Sequence, residues 1–373
     1  MKIVAWLLLA ILAMSASLNY IGAYPVWGTA ATDEFYFGTT YGLNTTDTAK
    51  LLIDRVKTYT DLFVLDSWDL PQNQTLLNEI CDYAVNAGLK FIVYFDLVSI
   101  TTYAWHRDWL LNAKTRWGDK FLGIYLHDEL GGKQLDEQLY FDTASDYTDA
   151  ANRFIGNLTG YYSNQFMKSN GIPTFMADYV LYWWDYLGGY DTVWVELGWG
   201  HNTTQQIALC RGAANMQSKD WGAIIVWKTN EPPELGSPQD MYDDMVAAYA
   251  AGAKYVLVFN YPEYPKTTLG EEHFEAMKRF YQYTKMHPRN LLGRTEGEVA
   301  LVFPKDYGWG MRWEDDKIWG VWNETPEKAQ IAWVNLNKLT EKYGLKLDIV
   351  FDDVRFNPRE KYQTVYLWND IIT

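Results

Sequence analysis

Hydrophobic and polar positions follow two periodicities that alternate along residues 34–262. Short apolar runs, typical of buried strands, are separated by longer segments whose apolar residues repeat at helical spacing. The pattern therefore predicts a series of strand–helix units. The predicted strands are EFYFGTTY (34–41), DLFVLDS (61–67), LKFIVYFDL (89–97), FLGIYLHDE (121–129), IPTFMADYV (172–180), TVWVELGWG (192–200), AIIVWKTN (223–230) and YVLVFNYP (255–262).

Helical segments separate most of these strands. TTDTAKLLIDRVKTYT offers Thr45 or Thr46 as its N-cap, because a hydroxyl there accepts a backbone N–H of the first turn. Two segments, NQTLLNEICDYAVNAG and DMYDDMVAAYAAG, end on Gly88 and Gly252, which are good helix-ending residues. GEEHFEAMKRFYQYTKMHP stops at Pro288, and LYWWDYLGGYD between strands five and six has the weakest helical pattern.

Alternating strands and helices predict a parallel sheet with helices outside it. Eight units over about 260 residues fit an α/β fold of the (β/α)8 TIM-barrel type, which we place at residues 30–290. The alternative is a doubly wound open sheet. No G-x-G-x-x-G motif follows the first strand, so the sequence does not support dinucleotide binding.

The pattern restarts after residue 289. EVALVFP (298–304) is a predicted strand, EKAQIAWVNLNKLTEKYG (327–344) a helix, and LKLDIVFDDV and YQTVYLWN are two further strands. Residues 297–373 are thus expected to form a small, flavodoxin-like α/β domain. Three strands and one helix are few for independent stability, so this domain either docks on the barrel or is truncated.

The N-terminus MKIVAWLLLAILAMSASLNY has the pattern of a secretory signal. Lys2 precedes an apolar stretch at 3–14 and small residues at 15–17. The apolar stretch is shorter than the roughly 20 residues that a spanning helix needs. We predict a signal peptide over residues 1–23 and an extracellular or cell-surface location, with an uncleaved N-terminal membrane anchor as the alternative.

The N-glycosylation sequons bear on export, and the positions of the cysteines bear on disulfide formation. Five N-x-[ST] sequons fit an exported glycoprotein, at Asn44, Asn73, Asn157, Asn202 and Asn323. The two cysteines, Cys81 and Cys210, lie in the helices after strands two and six, on opposite sides of a barrel. A disulfide needs Cα atoms within about 7 Å, so both thiols are expected to be free and buried.

Charge and composition narrow the ligand class. The net charge of −15 argues against nucleic acid and against anionic polymers, which the long-range field would repel. The chain has 18 Trp and 28 Tyr, whose flat faces and polar edges suit sugar rings. The same aromatics would also serve an ordinary large core. A neutral carbohydrate is the partner that these observations favour.

A barrel carries its chemistry at the C-terminal ends of its strands. Carboxylates interleaved with aromatic and polar residues follow strands two to eight. They are Asp66, Trp68 and Asp69; Asp96; His127, Asp128 and Glu129; Asp178 and Tyr179; Glu196, Trp199 and His201; Trp227, Lys228 and Glu231; and Asn260 and Glu263.

Paired carboxylates in such a position suit glycoside hydrolysis. One protonates the leaving oxygen, and the other attacks or activates water. The sequence shows no H-E-x-x-H, C-x-x-C or G-x-S-x-G motif and no P-loop. The H-x-H ligand pattern of a metal-dependent deacetylase or amidohydrolase is missing too, and we predict neither a metal nor another cofactor.

Glu129 is the candidate acid/base, and a solvated loop carboxylate is its alternative interpretation. Asp128 would raise the pKa of Glu129 as a neighbouring anion, or would itself be the reacting group. Adjacent strand residues point to opposite faces, so both can face the barrel axis only at a bend, for which Gly131 and Gly132 are candidates.

For the second carboxylate, Glu196 ranks before Glu231 and Glu263. Glu196 interrupts an apolar strand, where a carboxylate costs free energy unless it has partners or a function. The other two lie in loops that position a nucleophile poorly.

The remaining candidates would bind the sugar, and each has a structural role as its alternative. Trp68, Trp199 and Trp227 are stacking candidates. Candidate hydrogen-bonding residues are Asp96, His127, Asp178, His201, Lys228 and Asn260.

The motif LHDEL at the end of strand four resembles (β/α)8 glycoside hydrolases, which carry a catalytic acid there. The domain order is similar to that of family 42 β-galactosidases, in which a barrel precedes an amidotransferase-like α/β module. Asp128 replaces the Asn that precedes the strand-four Glu in that clan. A pairing of strand four with strand six resembles the α-galactosidase-like barrels more.

The resemblance implies a secreted or cell-surface glycoside hydrolase acting on a neutral glycan by a two-carboxylate mechanism. The alternative is a non-catalytic barrel that binds carbohydrate or belongs to a surface coat. A separation of roughly 5–10 Å between the carboxyl groups of Glu129 and Glu196, across an open cleft, would favour hydrolysis.

Overall fold

Eight parallel strands close into a barrel in the order of the sequence, with β1 hydrogen-bonded to both β2 and β8. The computed structural model describes residues 34–95, 99–229, 234–261 and 268–372. The prediction of a (β/α)8 barrel is confirmed. The strands are β1 (Tyr36–Tyr41), β2 (Leu62–Leu65), β3 (Lys90–Tyr94), β4 (Phe121–Asp128), β5 (Thr174–Asp178), β6 (Thr192–Leu197), β7 (Asp220–Ile225) and β8 (Tyr255–Val258).

Helices follow the strands on the outside of the barrel. The first begins after Thr45, whose hydroxyl accepts the N–H of Thr48, so Thr45 rather than Thr46 is the cap. The weakly predicted link between β5 and β6 does contain a short helix, α8. The barrel helices are α1 (Thr46–Val56), α2 (Gln74–Asn86), α3 (Ser99–Thr102), α4 (Ala104–Trp117), α5 (Leu130–Glu137), α6 (Tyr147–Gly160), α7 (Tyr162–Ser169), α8 (Tyr182–Leu187), α9 (Thr203–Gln217), α10 (Pro238–Ala250), α11 (Glu271–Met286) and α12 (Arg289–Leu292).

The inside of the barrel is filled by side chains. Alternate strand residues point inward, and several are aromatic, including Tyr94, Tyr125 and Trp194. The outward residues pack with the helices into the main core. Because the interior is solid, polar chemistry is confined to the two ends of the barrel.

Several strand ends differ from those predicted. β1 begins at Tyr36 rather than 34, β7 begins at Asp220 rather than 223, and β8 ends at Val258 rather than 262. Asp220 and Trp221 are included in β7 because they pair in register with Thr192 and Val193 of β6. Strand pairing thus begins before the apolar run in β7, and it stops before the end of the predicted strand in β8.

A second, three-stranded parallel sheet follows the barrel, in the order β10–β9–β11. It comprises β9 (Val299–Phe303), α13 (Pro326–Tyr343), β10 (Leu347–Phe351) and β11 (Thr364–Leu367). The module docks on the barrel, since β10 packs on α9. Arg211 of α9 forms a buried ion pair with Asp348 of β10, with 2.8 Å between Nε and Oδ1.

Cys81 and Cys210 are both buried and free, as predicted. Cys81 lies in α2 and Cys210 in α9. Each fills space between its helix and the sheet as a small apolar side chain.

The predicted signal or anchor segment, residues 1–23, lies outside the described residues. Within the described ranges, no helix has the length and apolar character needed to cross a membrane. Export and anchoring therefore stay predictions.

Candidate active site

Three carboxylates from β4 and β6 meet at the C-terminal mouth of the barrel. Glu196, at the end of β6, is only 3% exposed and lies close enough to Glu129 for the charge of Glu129 to raise its pKa. The indole N–H of Trp199 donates to Glu196, with 2.6 Å between Nε1 and Oε2. The Tyr125 hydroxyl bonds to Asp128, so the inner wall of the barrel holds the third carboxylate.

Two irregularities let β4 deliver adjacent carboxylates to the same place. The pairing of β4 with β5 shifts register between Tyr125 and His127, as at a β-bulge. Glu129 then adopts a left-handed backbone conformation, with φ 56° and ψ 35°. The expected bend therefore lies at Glu129 itself, and the prediction that the following glycines supply it is wrong, since neither has a positive φ.

Gly131 and Gly132 instead permit close packing. A Cβ at Gly131 would lie 2.8 Å from Oδ2 of Asp178 and 2.9 Å from Cβ of Leu181. A Cβ at Gly132 would overlap the ring of Tyr179. Only glycine lets the first turn of α5 lie this close to the end of β5.

Asp178 fastens that turn. Its carboxyl group accepts four backbone N–H groups, from Gly131 (2.5 Å), Gly132 (3.0 Å), Tyr179 (2.8 Å) and Val180 (3.2 Å). The side chain is fully buried. The structure thus places Asp178 behind the mouth, where it positions α5 and Glu129, rather than where the sequence analysis expected a sugar-binding group.

Burial and mutual repulsion raise the pKa values of the mouth carboxyl groups. Desolvation and then the charge of Asp128 raise the pKa of Glu129 to about 7, although Lys133, 3.6 Å from Oε2, opposes the shift. Burial, followed by the charge of Glu129, holds the pKa of Glu196 well above its usual range. The pair therefore retains a proton near neutral pH, which is what a general acid beside a carboxylate requires.

Three of the eight non-glycine residues with positive φ in the described ranges follow barrel strands at this end. Glu129, Leu181 and Trp199 follow β4, β5 and β6 and all have φ between 55° and 56°. Left-handed conformations are costly for residues with a Cβ, and they cluster at functional sites. The strain supports a functional reason for the positions of Glu129 and Trp199.

Aromatic rings flank the carboxylates on two sides. Trp199 lies 6.0 Å from Trp227 and 6.5 Å from Tyr179 between ring centroids. On the β2 side, Trp68 is 61% exposed and its ring packs edge-to-face with that of Tyr94, with 5.5 Å between the centroids. The three predicted stacking tryptophans thus all lie at the mouth.

Two predicted hydrogen-bonding residues lie away from the carboxylates. The ring of His127 is buried against Tyr161 and Tyr190, on the outer side of β4, because the register shift turns it outward. Burial lowers the pKa of His127 to about 3. Lys228 pairs with Asp244 of α10, with 3.6 Å between Nζ and Oδ2.

The remaining predicted residues are placed as follows. Asn260, 4% exposed after β8, donates its backbone N–H to the Thr40 hydroxyl at 3.0 Å. The ring of His201 lies at the rim between those of Tyr179 and Trp313. The candidates Asp96, Glu231 and Glu263 lie outside the described residues.

Sequence reasoning missed several contributors to this site. Tyr125 bonds to Asp128, and Lys133 lies one helical turn after Glu129. The sequence shows that Tyr125 precedes Asp128 by three residues and that Lys133 follows Glu129 by four. It does not show the bulge in β4 or the start of α5, which bring these side chains together. Asp66, at the end of β2, was noted at the rim but not ranked, and burial and the charge of Asp128 raise its pKa well above its usual range.

In the parts of the chain that the structure describes, no cluster of three or more His, Cys, Asp or Glu side chains is arranged to hold a metal ion.

No family model and no curated protein matches the sequence, so the resemblance to family 42 and its amidotransferase-like module stays a prediction. Solved structures are similar in fold. A β-mannanase from the blue mussel Mytilus edulis is 9% identical, with a TM-score of 0.42 over 67% of this chain and 92% of its own. An endo-1,4-β-D-mannanase from Thermotoga petrophila is 10% identical, with a TM-score of 0.45 over 67% and 99%.

The similar structures also include a 3-dehydroquinate dehydratase from Aquifex aeolicus, 14% identical with a TM-score of 0.35 over 66% of this chain and 100% of its own. Glycoside hydrolases are thus among the fold neighbours together with enzymes of other chemistry. At such identities the similarity concerns the fold alone.

Proposed function

We propose that this protein is a glycoside hydrolase that acts on a neutral glycan through Glu129 and Glu196. The observation that carries the proposal is the meeting of these two carboxyl groups at the barrel mouth, where Trp199 donates to Glu196 and the charge of Glu129 raises the pKa of Glu196. The pKa values of both groups are raised, so the pair keeps a proton near neutral pH. We assign this proton to Glu129, because the Trp199 N–H favours the ionised form of Glu196.

In this mechanism Glu129 gives its proton to the glycosidic oxygen as the bond from that oxygen to the anomeric carbon breaks. Glu196 forms a bond to the anomeric carbon from the opposite face of the sugar. Glu129, now ionised, takes a proton from water, which displaces Glu196 and restores both groups. The indole N–H of Trp199 holds Glu196 in place for the attack.

The proposed course is double displacement with a covalent glycosyl intermediate. Inverting enzymes hold their carboxyl groups about 6.5–9.5 Å apart to admit a water molecule, and retaining enzymes about 5–5.5 Å. The charge of Glu129 raises the pKa of Glu196, so the two groups are neighbours, and we propose the shorter, retaining separation.

The mouth favours an uncharged substrate. The whole chain carries a net charge of −15, whose long-range field would repel an anionic sugar. The tryptophans beside the mouth carboxyl groups supply apolar faces for pyranose rings.

Export completes the proposal. The N-terminal pattern of residues 1–23 and the five sequons support action outside the cell or at its surface. Detection of the protein in the medium, or in a membrane fraction if residues 1–23 remain as an anchor, would test this part.

The test of the activity is a panel of 4-nitrophenyl glycosides and neutral polysaccharides, assayed with the wild type and Glu129→Gln. The variant should lose about 10²–10⁴-fold in kcat/KM on polysaccharide. It should lose much less on 4-nitrophenyl glycosides, whose leaving group needs little protonation. NMR of the first product formed should show the anomeric configuration of the substrate.

Glu137→Gln is the matched control, because Glu137 is an exposed residue at the C-terminal end of α5, the helix that begins directly after Glu129. It should behave as the wild type. Equal activity of Glu129→Gln and the wild type on polysaccharide would remove Glu129 from the mechanism. Binding of a panel glycan without cleavage by the wild type would favour the alternative, a non-catalytic carbohydrate-binding barrel.

A further inference from the structure

The connection between β9 and α13, residues 304–325, returns to the barrel mouth. It contains four tryptophans in the sequence DYGWGMRWEDDKIWGVWNE. Trp309 and Trp319 are buried and Trp322 is half-buried, whereas Trp313 is 52% exposed. One ring of an otherwise well-packed connection is thus left in contact with solvent.

Barrel helices hold this connection in place. Trp319 packs at 4.7 Å from Trp184 of α8, measured between ring centroids. Gln134 of α5 and Gln138, the residue directly after this helix, donate to backbone oxygens of the connection: Gln134 to Trp319 at 3.1 Å and Gln138 to Gly320 at 2.8 Å. The connection is therefore part of the barrel's rim rather than a free loop.

Arg312 fixes the position of its neighbour Trp313. Its guanidinium pairs with Asp316 at 2.8 Å and with Asp136 of α5 at 2.8 Å. Asp136 also accepts the hydroxyl of Tyr179 at 2.7 Å. One carboxylate thus links the connection to the aromatic side of the candidate active site.

A row of rings leads from the carboxylates to Trp313. Trp199 donates to Glu196 and lies 6.5 Å from Tyr179. Tyr179 lies 6.0 Å from His201, which lies 6.1 Å from Trp313. These centroid distances make a continuous line of flat side chains along one side of the mouth.

We propose that Trp313 is the distal stacking residue of an extended glycan-binding cleft, so that the substrate is a neutral oligosaccharide or polysaccharide chain rather than a single glycoside. The inference rests on the proposed function of the carboxylates and deepens it. Successive sugar units would lie along Trp199, Tyr179, His201 and Trp313.

The electrostatics of this row suit uncharged sugars. Burial lowers the pKa of His201 to about 4, so its ring is neutral at physiological pH. The positive charge of Arg312 is balanced by Asp136 and Asp316, and the residues after Trp313 are Glu314 and Asp315. An anionic sugar chain would meet repulsion here.

The experiment measures dissociation constants of neutral oligosaccharides of two to six units by calorimetry, with the full chain carrying Glu129→Gln to prevent cleavage. The series would cover gluco-, manno- and xylo-oligosaccharides. With Trp313 present, affinity should rise with chain length. Trp313→Ala should weaken hexasaccharide binding about tenfold and remove most of this rise, because the ring covers apolar sugar surface.

Trp313→Phe should retain most of the length dependence. Tyr162→Ala is the control: Tyr162 is 47% exposed on α7, where its ring packs on Phe166 outside the row, and the variant should bind as its parent does. Equal length dependence with and without Trp313 would overturn the inference, as would binding of anionic oligosaccharides only, or binding of none of the neutral series.

The two proposals can fail separately. If Glu129→Gln abolishes hydrolysis but Trp313→Ala binds long chains normally, the glycoside hydrolase stands and the extended cleft does not. If the wild type cleaves no bound glycan but Trp313→Ala weakens long-chain binding, the cleft stands and the hydrolase does not.

Discussion

Glu196 and Asp348 are both buried carboxylates, but their surroundings differ in every respect that matters for stability. Asp348, at the junction of β10 and α9, is fully buried and accepts from Arg211 (2.8 Å), Asn215 (3.0 Å) and Tyr362 (2.9 Å). Glu196, at the barrel mouth, accepts from Trp199, and its other neighbour is a second acid, Glu129, whose charge raises its pKa.

The comparison separates a buried carboxylate whose partners stabilise the fold, Asp348, from one that lacks such partners, Glu196. At the junction a cation and two neutral donors compensate Asp348, so the C-terminal sheet stays attached to the barrel. At the mouth two acids face each other and strained backbone surrounds them. Such uncompensated groups persist in proteins mainly where function requires them.

The largest effect should come from breaking the compensated site. Asp348→Ala leaves Arg211, only 2% exposed, without its counter-ion and should lower the free energy of unfolding by about 3–5 kcal/mol. Urea unfolding measures this change. Asp352→Ala, at an exposed position just after the same strand, should change stability by less than about 0.5 kcal/mol. Similar losses in the two variants would mean that the junction does not depend on this ion pair.

The uncompensated site should make the protein less stable at pH 8 than at pH 5. Burial raises the pKa values of Glu129 and Asp178 to about 7, from 4.5 and 3.8. Between about pH 4 and 7 these two groups bind more protons in the folded than in the unfolded state, so their contribution to stability falls as the pH rises. His127 and His201, whose pKa values are lowered to about 3 and 4, contribute the opposite dependence below about pH 6.5. For Glu129 alone the shift corresponds to about 3 kcal/mol.

Thermal unfolding between pH 5 and 8 measures this dependence. Glu196→Gln should flatten it, because Glu196 is the neighbour whose own pKa is raised by Glu129. Stability that rose steadily from pH 5 to 8 would show that the mouth carboxyl groups ionise as readily as in the unfolded chain.

A smaller change of the opposite sign is expected from neutralising one mouth carboxyl group. Glu196→Gln replaces a buried acid by a neutral amide, whose oxygen can still accept from Trp199. We expect a gain of about 1–2 kcal/mol at pH 8, together with loss of hydrolysis. Chemical denaturation checks the gain, with Glu137→Gln as the control. A clear loss of stability would mean that the charge of Glu196 is compensated after all.

The fold was predictable because its signals are local and repeated. The apolar runs and the helices ending at Gly88 and Gly252 define strand–helix units, and eight such units close a barrel. The same rule placed Glu129 and Glu196 at the mouth, because the C-terminal ends of parallel strands share one end of the barrel. Their roles in catalysis stay predictions.

The details that place individual side chains were not predictable. The register shift before His127 turns that ring outward, and no residue type marks it. The left-handed conformation of Glu129 occurs without a glycine. Trp313 reaches the mouth from a segment more than a hundred residues after His201, a long-range contact that no local pattern encodes.

The smallest expected effect concerns a single hydrogen bond to Asp348, the compensated carboxylate. Tyr362→Phe removes one of the three donors to Asp348 and keeps the buried ring. Burial and the nearby Asp348 raise the pKa of Tyr362, so its hydroxyl donates at every physiological pH. Because Arg211 and Asn215 still donate to Asp348, the free energy of unfolding should fall by only about 1 kcal/mol. A hydrogen bond to a charged group typically contributes about 1.5–3 kcal/mol.

Urea unfolding of Tyr362→Phe beside Tyr366→Phe would test this expectation. Tyr366 lies in β11, in the same C-terminal sheet as Asp348. Its hydroxyl bonds to that of Tyr343 at 2.8 Å, in a partly exposed position. Its removal should change stability by less than about 0.5 kcal/mol. If Tyr362→Phe cost as much as Asp348→Ala, the phenol rather than the ion pair would hold the junction, and the contrast with Glu196 would rest on the wrong partner.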